Sequence, residues 1–176
     1  MTSLTLKNLT IEPFSKDHSL MSVLLRNDHP QINIDSDDIN KKIGMVMSSL
    51  NCLNQEVSIL LTADADIREL NQQFRSIDQP TDVLSFPQNA DEDPPIPGEI
   101  ILGDIAVSLD TAQAQAKEHG LTFEEEIILL LIHGILHLLG YDHEISEQEE
   151  EKMRSKTREL FNLVFPGKVL ANSCNY

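Results

Sequence analysis

Residues 122–140, TFEEEIILLLIHGILHLLG, read as one apolar helix with both ends marked in the sequence. Thr122 and Glu125 form a capping-box pattern, in which the hydroxyl and the carboxylate each accept from the other residue's backbone N–H. Gly140 marks the exit, because a residue without a Cβ enters the left-handed conformation that closes a helix. The run from Ile127 to Leu139 is broken by His133, Gly134 and His137 and is too short for a bilayer, which takes roughly 20 apolar residues.

Upstream, Leu109 to His119 reads as a helix that stops at Gly120. Glu99 to Ser108, EIILGDIAVS, reads as a strand in which Gly103 marks a bulge or a close backbone approach. Thr81 to Pro87 is a strand closed by proline, followed by the polar loop QNADEDPPIPGE. Val57 to Leu61 is a short apolar strand, and Asp64 to Phe74 after it sets Ile67, Leu70 and Phe74 on one helical face. Ser36, Asp37 and Asp38 open a helix carried by Ile39, Ile43, Val46, Met47 and Leu50. Leu4, Leu6, Leu9 and Ile11 suggest an opening strand ending at Pro13. Downstream, Ser146 and Glu149 repeat the capping signature for a last helix ending at Pro166. With 176 residues, no repeat and no dividing linker, the expectation is one domain spanning 1–176. Its fold class is α+β: a small mixed sheet packed with several helices.

Thirteen Lys and Arg against 29 Asp and Glu give a net charge of -16, which opposes diffuse attraction to nucleic acid or an anionic membrane. A polyanionic ligand must meet a local basic site. The two cysteines, Cys52 at a predicted helix end and Cys174 in the tail, have no metal or redox spacing and read as inert thiols. The amino terminus lacks a basic start with an apolar stretch. Together these features predict a cytoplasmic protein with no membrane association.

His133, His137 and His143 lie in HGILHLLGYDH, spaced H-x3-H-x5-H over the helix and its exit turn. Residues four apart stand one above the other on a helix, about 6 Å along the axis, so two imidazoles can meet one ion. Gly140 folds the chain back so that His143 brings a third. Three protein nitrogens with an open fourth position are the catalytic arrangement for Zn2+, one ion per chain. Asp142 reads equally as a turn cap or as a group orienting a ligand imidazole. His119 reads as a helix-end residue, and His18 and His29 as surface residues. The spacing matches the long zinc-protease motif H-E-x-x-H-x-x-G-x-x-H, except that Gly134 replaces the glutamate that serves as general base. Peptide hydrolysis by that route is disfavoured. A structural zinc site is disfavoured too, since neither cysteine is placed to complete it.

Three blocks in order, LNQQFRSIDQPTDVLSFP (70–87), LGDIAVS (102–108) and HGILHLLGYDH (133–143), resemble the YbeY-type endoribonucleases, bacterial rRNA maturation factors that bind zinc. The likeness spans roughly the second half of the chain up to the last helix. It implies a metal-dependent endoribonuclease domain that cuts single-stranded RNA or rRNA precursors, including the 16S rRNA 3′ end, and acts in ribosome quality control. It also implies association with the ribosome or ribosomal proteins. His133, His137 and His143 correspond to the metal ligands, and Arg75 to the family's functional arginine at the mouth of the site. A guanidinium there forks onto phosphate oxygens and stabilises charge on a phosphodiester under attack. Thr81, Asp82, Ser85 and Asp104 read equally as cleft lining or as buried groups holding strands together. The principal alternative is a ribosome-associated assembly factor with incidental nuclease activity, with a metalloprotease further behind.

Overall fold

The computed structural model describes residues 23–88, 101–143, 145–171 and 174. Four strands form one sheet in the order β1-β2-β4-β3: β1 (Val23–Asn27), β2 (Glu56–Thr62), β3 (Val83–Pro87) and β4 (Ile101–Ser108). β1, β2 and β4 run parallel, and β3 pairs antiparallel at the edge of β4. The described helices are α1 (Ser36–Ser49), α2 (Asp64–Arg75), α3 (Leu109–His119), α4 (Phe123–Leu138) and α5 (Glu147–Val164). This is the mixed sheet with helices expected for an α+β chain. The expected strand at Leu4 to Ile11 lies outside the described residues, as does most of the loop after Pro87.

α4 is the central element, buried from Glu125 to Leu136. It packs with Ile39, Ile43, Val46 and Met47 of α1, with Met153, Leu160 and Phe161 of α5, and with Ile59, Ile105 and Val107 of the sheet. A smaller cluster of Ile67, Leu84 and Ala106, flanked by Leu60, Leu70 and Phe86, lies between α2 and the sheet. The period-2 alternation of β4 explains the division, since Ile105 and Val107 serve one cluster and Ala106 the other. The capping box forms as expected, with Thr122 Oγ1 accepting from Glu125 N at 3.2 Å and Glu125 Oε2 accepting from Thr122 N at 2.8 Å.

Gly103 has φ +148°, and the register shifts beside it at Glu56/Val57. A Cβ at this position would lie 2.4 Å from Phe86 O and 2.8 Å from Leu138 Cδ2, so β3, β4 and the end of α4 meet only because the side chain is missing.

Several expectations need correction. β1, VLLRN, has no counterpart among the strands expected from the sequence, because five residues with a polar end give a weak period-2 signal. The cap of α1 is Asp35, whose carboxylate accepts from Asp38 N at 3.1 Å, with Ser36 the first helical residue. Cys52 lies past the end of α1, and both cysteines are buried. His29 is not a surface residue: its side chain is 5% exposed. Its Nδ1 accepts from the backbone N–H groups of Gln31 and Ile32 at 3.2 and 3.0 Å, and its Nε2 meets Asp110 Oδ1 at 3.1 Å. Two bonds accepted at Nδ1 place the proton on Nε2, facing the carboxylate. His119 does end α3, but its Nδ1 also meets the buried Glu126 Oε2 at 2.9 Å.

Candidate metal centre

Gly140 builds the centre by ending α4. At φ +86° it places its N–H 3.0 Å from His137 O, while Tyr141 N–H lies 3.0 Å from Leu136 O. This paired closure is a Schellman motif, which turns the chain back over the last helical turn. His143 is thereby carried to the face that displays His133 and His137. Nε2 of His133 and of His137 lie 3.0 Å apart, and one ligand atom from each of the three histidines falls within 4.8 Å of the others. Ring centroids are separated by 4.5 Å for His133 and His137, 5.3 Å for His133 and His143, and 5.1 Å for His137 and His143.

The donor set fits a metal ion. Two nitrogens bound to one zinc at about 2.0–2.1 Å in tetrahedral geometry stand about 3.3 Å apart, close to the observed separation. His143 Nδ1 is a buried nitrogen with no hydrogen-bond partner among the described residues. Burial, with the neighbouring His137 and His143, pushes His133 down to about 3. His137 is lowered as well, first by burial and then by His143, against the opposing effect of Asp142 and a hydrogen bond to the Tyr141 backbone. Neutral imidazoles are the form that binds metal.

Gly134 faces the sheet. A Cβ there would lie 3.0 Å from Ile105 Cδ1 and 3.1 Å from Ser85 Oγ, and Ser85 Oγ donates to Gly134 O at 3.3 Å. A side chain at the position that holds glutamate in the protease motif would require Ile105 and Ser85 to give way.

Arg75 is the last residue of α2, exposed, and it makes no ion pair with any described residue. Its charge nevertheless acts on His137, contributing to the lowering there, so the guanidinium lies within electrostatic range of the centre. The turn carrying it is well fixed. Ser76 takes a left-handed φ of 60°, Asn71 Nδ2 donates to Gln79 O at 2.8 Å, and Arg68 grips Asp78 through Nε–Oδ1 2.7 Å and Nη2–Oδ2 3.0 Å.

Asp82 also acts electrostatically on His133, and its carboxylate accepts from Val83 N at 2.8 Å and Gln115 Nε2 at 2.9 Å, tying β3 to α3. Thr81 Oγ1 bonds the same carboxylate at 3.0 Å. Asp104 on β4 is raised by burial, with Ser58 opposing, and pairs in register with Phe86. Phe74 and Phe86, with ring centroids 4.9 Å apart, had no functional reading in the sequence. Their meeting joins α2 to β3, and only the fold could reveal it.

Residues 24–164 match the family described as Endoribonuclease YbeY. The chain belongs to the YbeY family. A YbeY endoribonuclease of Persephonella marina is 53% identical over 123 residues, covering 70% of this chain and 79% of that one. That of Aquifex aeolicus is 48% identical, covering 67% and 76%. A relative from Syntrophus aciditrophicus is 34% identical over 82% of this chain and 90% of its own. A solution structure from Thermotoga maritima is 29% identical with a TM-score of 0.58, covering 83% of this chain and 99% of that one. Within this YbeY chain, no described helix is long and apolar enough to cross a membrane.

Proposed function

We propose that the chain is a zinc-dependent endoribonuclease that cuts single-stranded RNA during rRNA maturation, including the 3′ end of 16S rRNA. Its family supports the activity. The observation that carries the mechanism is the convergence of three imidazoles at the closed end of α4. His133, His137 and His143 would hold the ion, which when bound supplies Lewis acidity toward water and a phosphoryl oxygen. Burial keeps His133 neutral and available as a donor. Arg75 binds the phosphate through its planar fork and stabilises the charge that builds on its oxygens. That role is the same whether water or the neighbouring 2′-hydroxyl attacks phosphorus.

The net charge of -16 leaves little long-range attraction for RNA. Affinity must come from the local site and from a carrier, which favours work on the ribosome or beside ribosomal proteins, in the cytoplasm, including ribosome quality control. Gly134 and its crowded surroundings count against peptide hydrolysis. The test is cleavage of RNA oligonucleotides beside unfolded casein, with and without chelator, joined to rRNA end-mapping in cells depleted of the protein. Chelator-sensitive RNA cleavage, intact casein and unprocessed 16S 3′ ends are expected. Chelator-sensitive casein cleavage, or normal rRNA ends, would contradict the reading.

A further inference from the structure

Phe74 leaves 46% of its surface exposed, beside Arg75 on the last turn of α2. Its ring is not loose. Phe86 of β3 meets it with centroids 4.9 Å apart and planes tilted by 59°, an aromatic pairing geometry that orders both rings. Side chains alternate along β3, so Ser85 meets the carbonyl of Gly134 at 3.3 Å on the α4 face while Phe86 turns to the α2 face and flanks Ile67, Leu84 and Ala106. The Phe86 carbonyl is held where only a glycine at 103 fits beside it. Phe74 precedes Arg75, the last residue of α2.

A chain of net charge -16 needs a source of RNA affinity other than diffuse charge. Base stacking on an aromatic ring is one, and it accepts any base because every base has a π-face. We propose that Phe74, backed by Phe86, stacks an unpaired nucleobase next to the phosphate held by Arg75. The proposal rests on the endoribonuclease reading and deepens it, because a base locked in a duplex cannot stack there. Phe74 is then a binding residue that sets the requirement for single-stranded substrate.

The chain has no tryptophan, so Phe74→Trp installs a unique fluorophore. Mixing the zinc-loaded variant with a single-stranded oligoadenylate should quench its emission before cleavage proceeds, and a perfectly paired duplex of the same length should not. In steady state, Phe74→Leu should raise KM for the oligoadenylate by about 5- to 150-fold, the range of one lost base stack. Its kcat should stay within about twofold and its zinc content should be unchanged, while Phe74→Tyr should restore KM. If Phe74→Leu fails to fold, the quenching experiment still decides. Bound RNA without quenching, or a wild-type KM in folded Phe74→Leu, would overturn the platform while leaving the nuclease intact. A wild-type KM combined with lost ribosome association would assign the patch to a protein partner and overturn it equally. Absence of RNA cleavage by wild-type enzyme would overturn the endoribonuclease reading, and the platform with it.

Discussion

Ser85 Oγ donates to the carbonyl of Gly134 at 3.3 Å, and a Cβ on that glycine would sit 3.1 Å from the same hydroxyl oxygen. The contact presses α4 against β3 one residue from His133. The glycine that removes the protease base from the motif is thus also what lets the helix carrying the histidines approach the edge strand.

Gly134→Glu is therefore expected to damage the fold and gain no protease activity. Forcing atoms into a packed interface costs typically about 1–3 kcal/mol, and a buried carboxylate without a partner adds to that. Gly134→Ala should be milder, since about 1 kcal/mol of helix propensity offsets part of the crowding. Urea unfolding of both variants, with a casein assay, checks this. A fully stable Gly134→Glu that cleaves casein would contradict it.

Much of this arrangement was legible in the sequence, for a local reason. Thr122, Glu125 and Gly140 specify where α4 begins and ends, and the histidine spacing then follows from helix geometry. Gly103 announced its bulge in the same way. What escaped depends on distant partners. His29 lies 81 residues from Asp110, which holds its Nε2. Phe74 and Phe86 meet only across α2 and β3. Arg75 stands out in the sequence only through its place inside the block 70–87 that resembles the family. β1 is too short for its alternation to stand out, and its pairing with β2 defines it.

The depressed His133 gives the metal-free protein a specific acid response. An unfolded histidine takes up its proton near the ordinary value of 6.5, whereas in the folded chain His133 does so only at about 3. Between those values the unfolded state binds more protons, so the stability present above pH 6.5 is lost as pH falls toward 3. Chelated wild-type protein and His133→Asn, unfolded in urea between pH 7 and 4, should show the steeper loss in wild type. Parallel curves would mean that His133 is not held neutral by the fold.

Arg75 should separate substrate binding from metal binding. Arg75→Ala is expected to keep its zinc and its folded spectrum yet cleave single-stranded RNA on the order of 100-fold more slowly or worse, the usual loss for one preorganised charge-stabilising donor. Arg75→Lys keeps the charge without the fork and should lie nearer alanine than wild type. Wild-type cleavage by zinc-replete Arg75→Ala would require another group at the phosphate.

The central claim is that three histidines hold the one ion on which RNA cleavage depends. It is tested most directly by stripping the protein with chelator and returning Zn2+ in measured equivalents while following cleavage of an end-labelled single-stranded RNA. Activity should rise from near zero and saturate at about one equivalent per chain, with His137→Ala failing to bind the ion or regain activity under the same titration. Undiminished cleavage by the stripped protein, or full recovery by His137→Ala, would contradict the account.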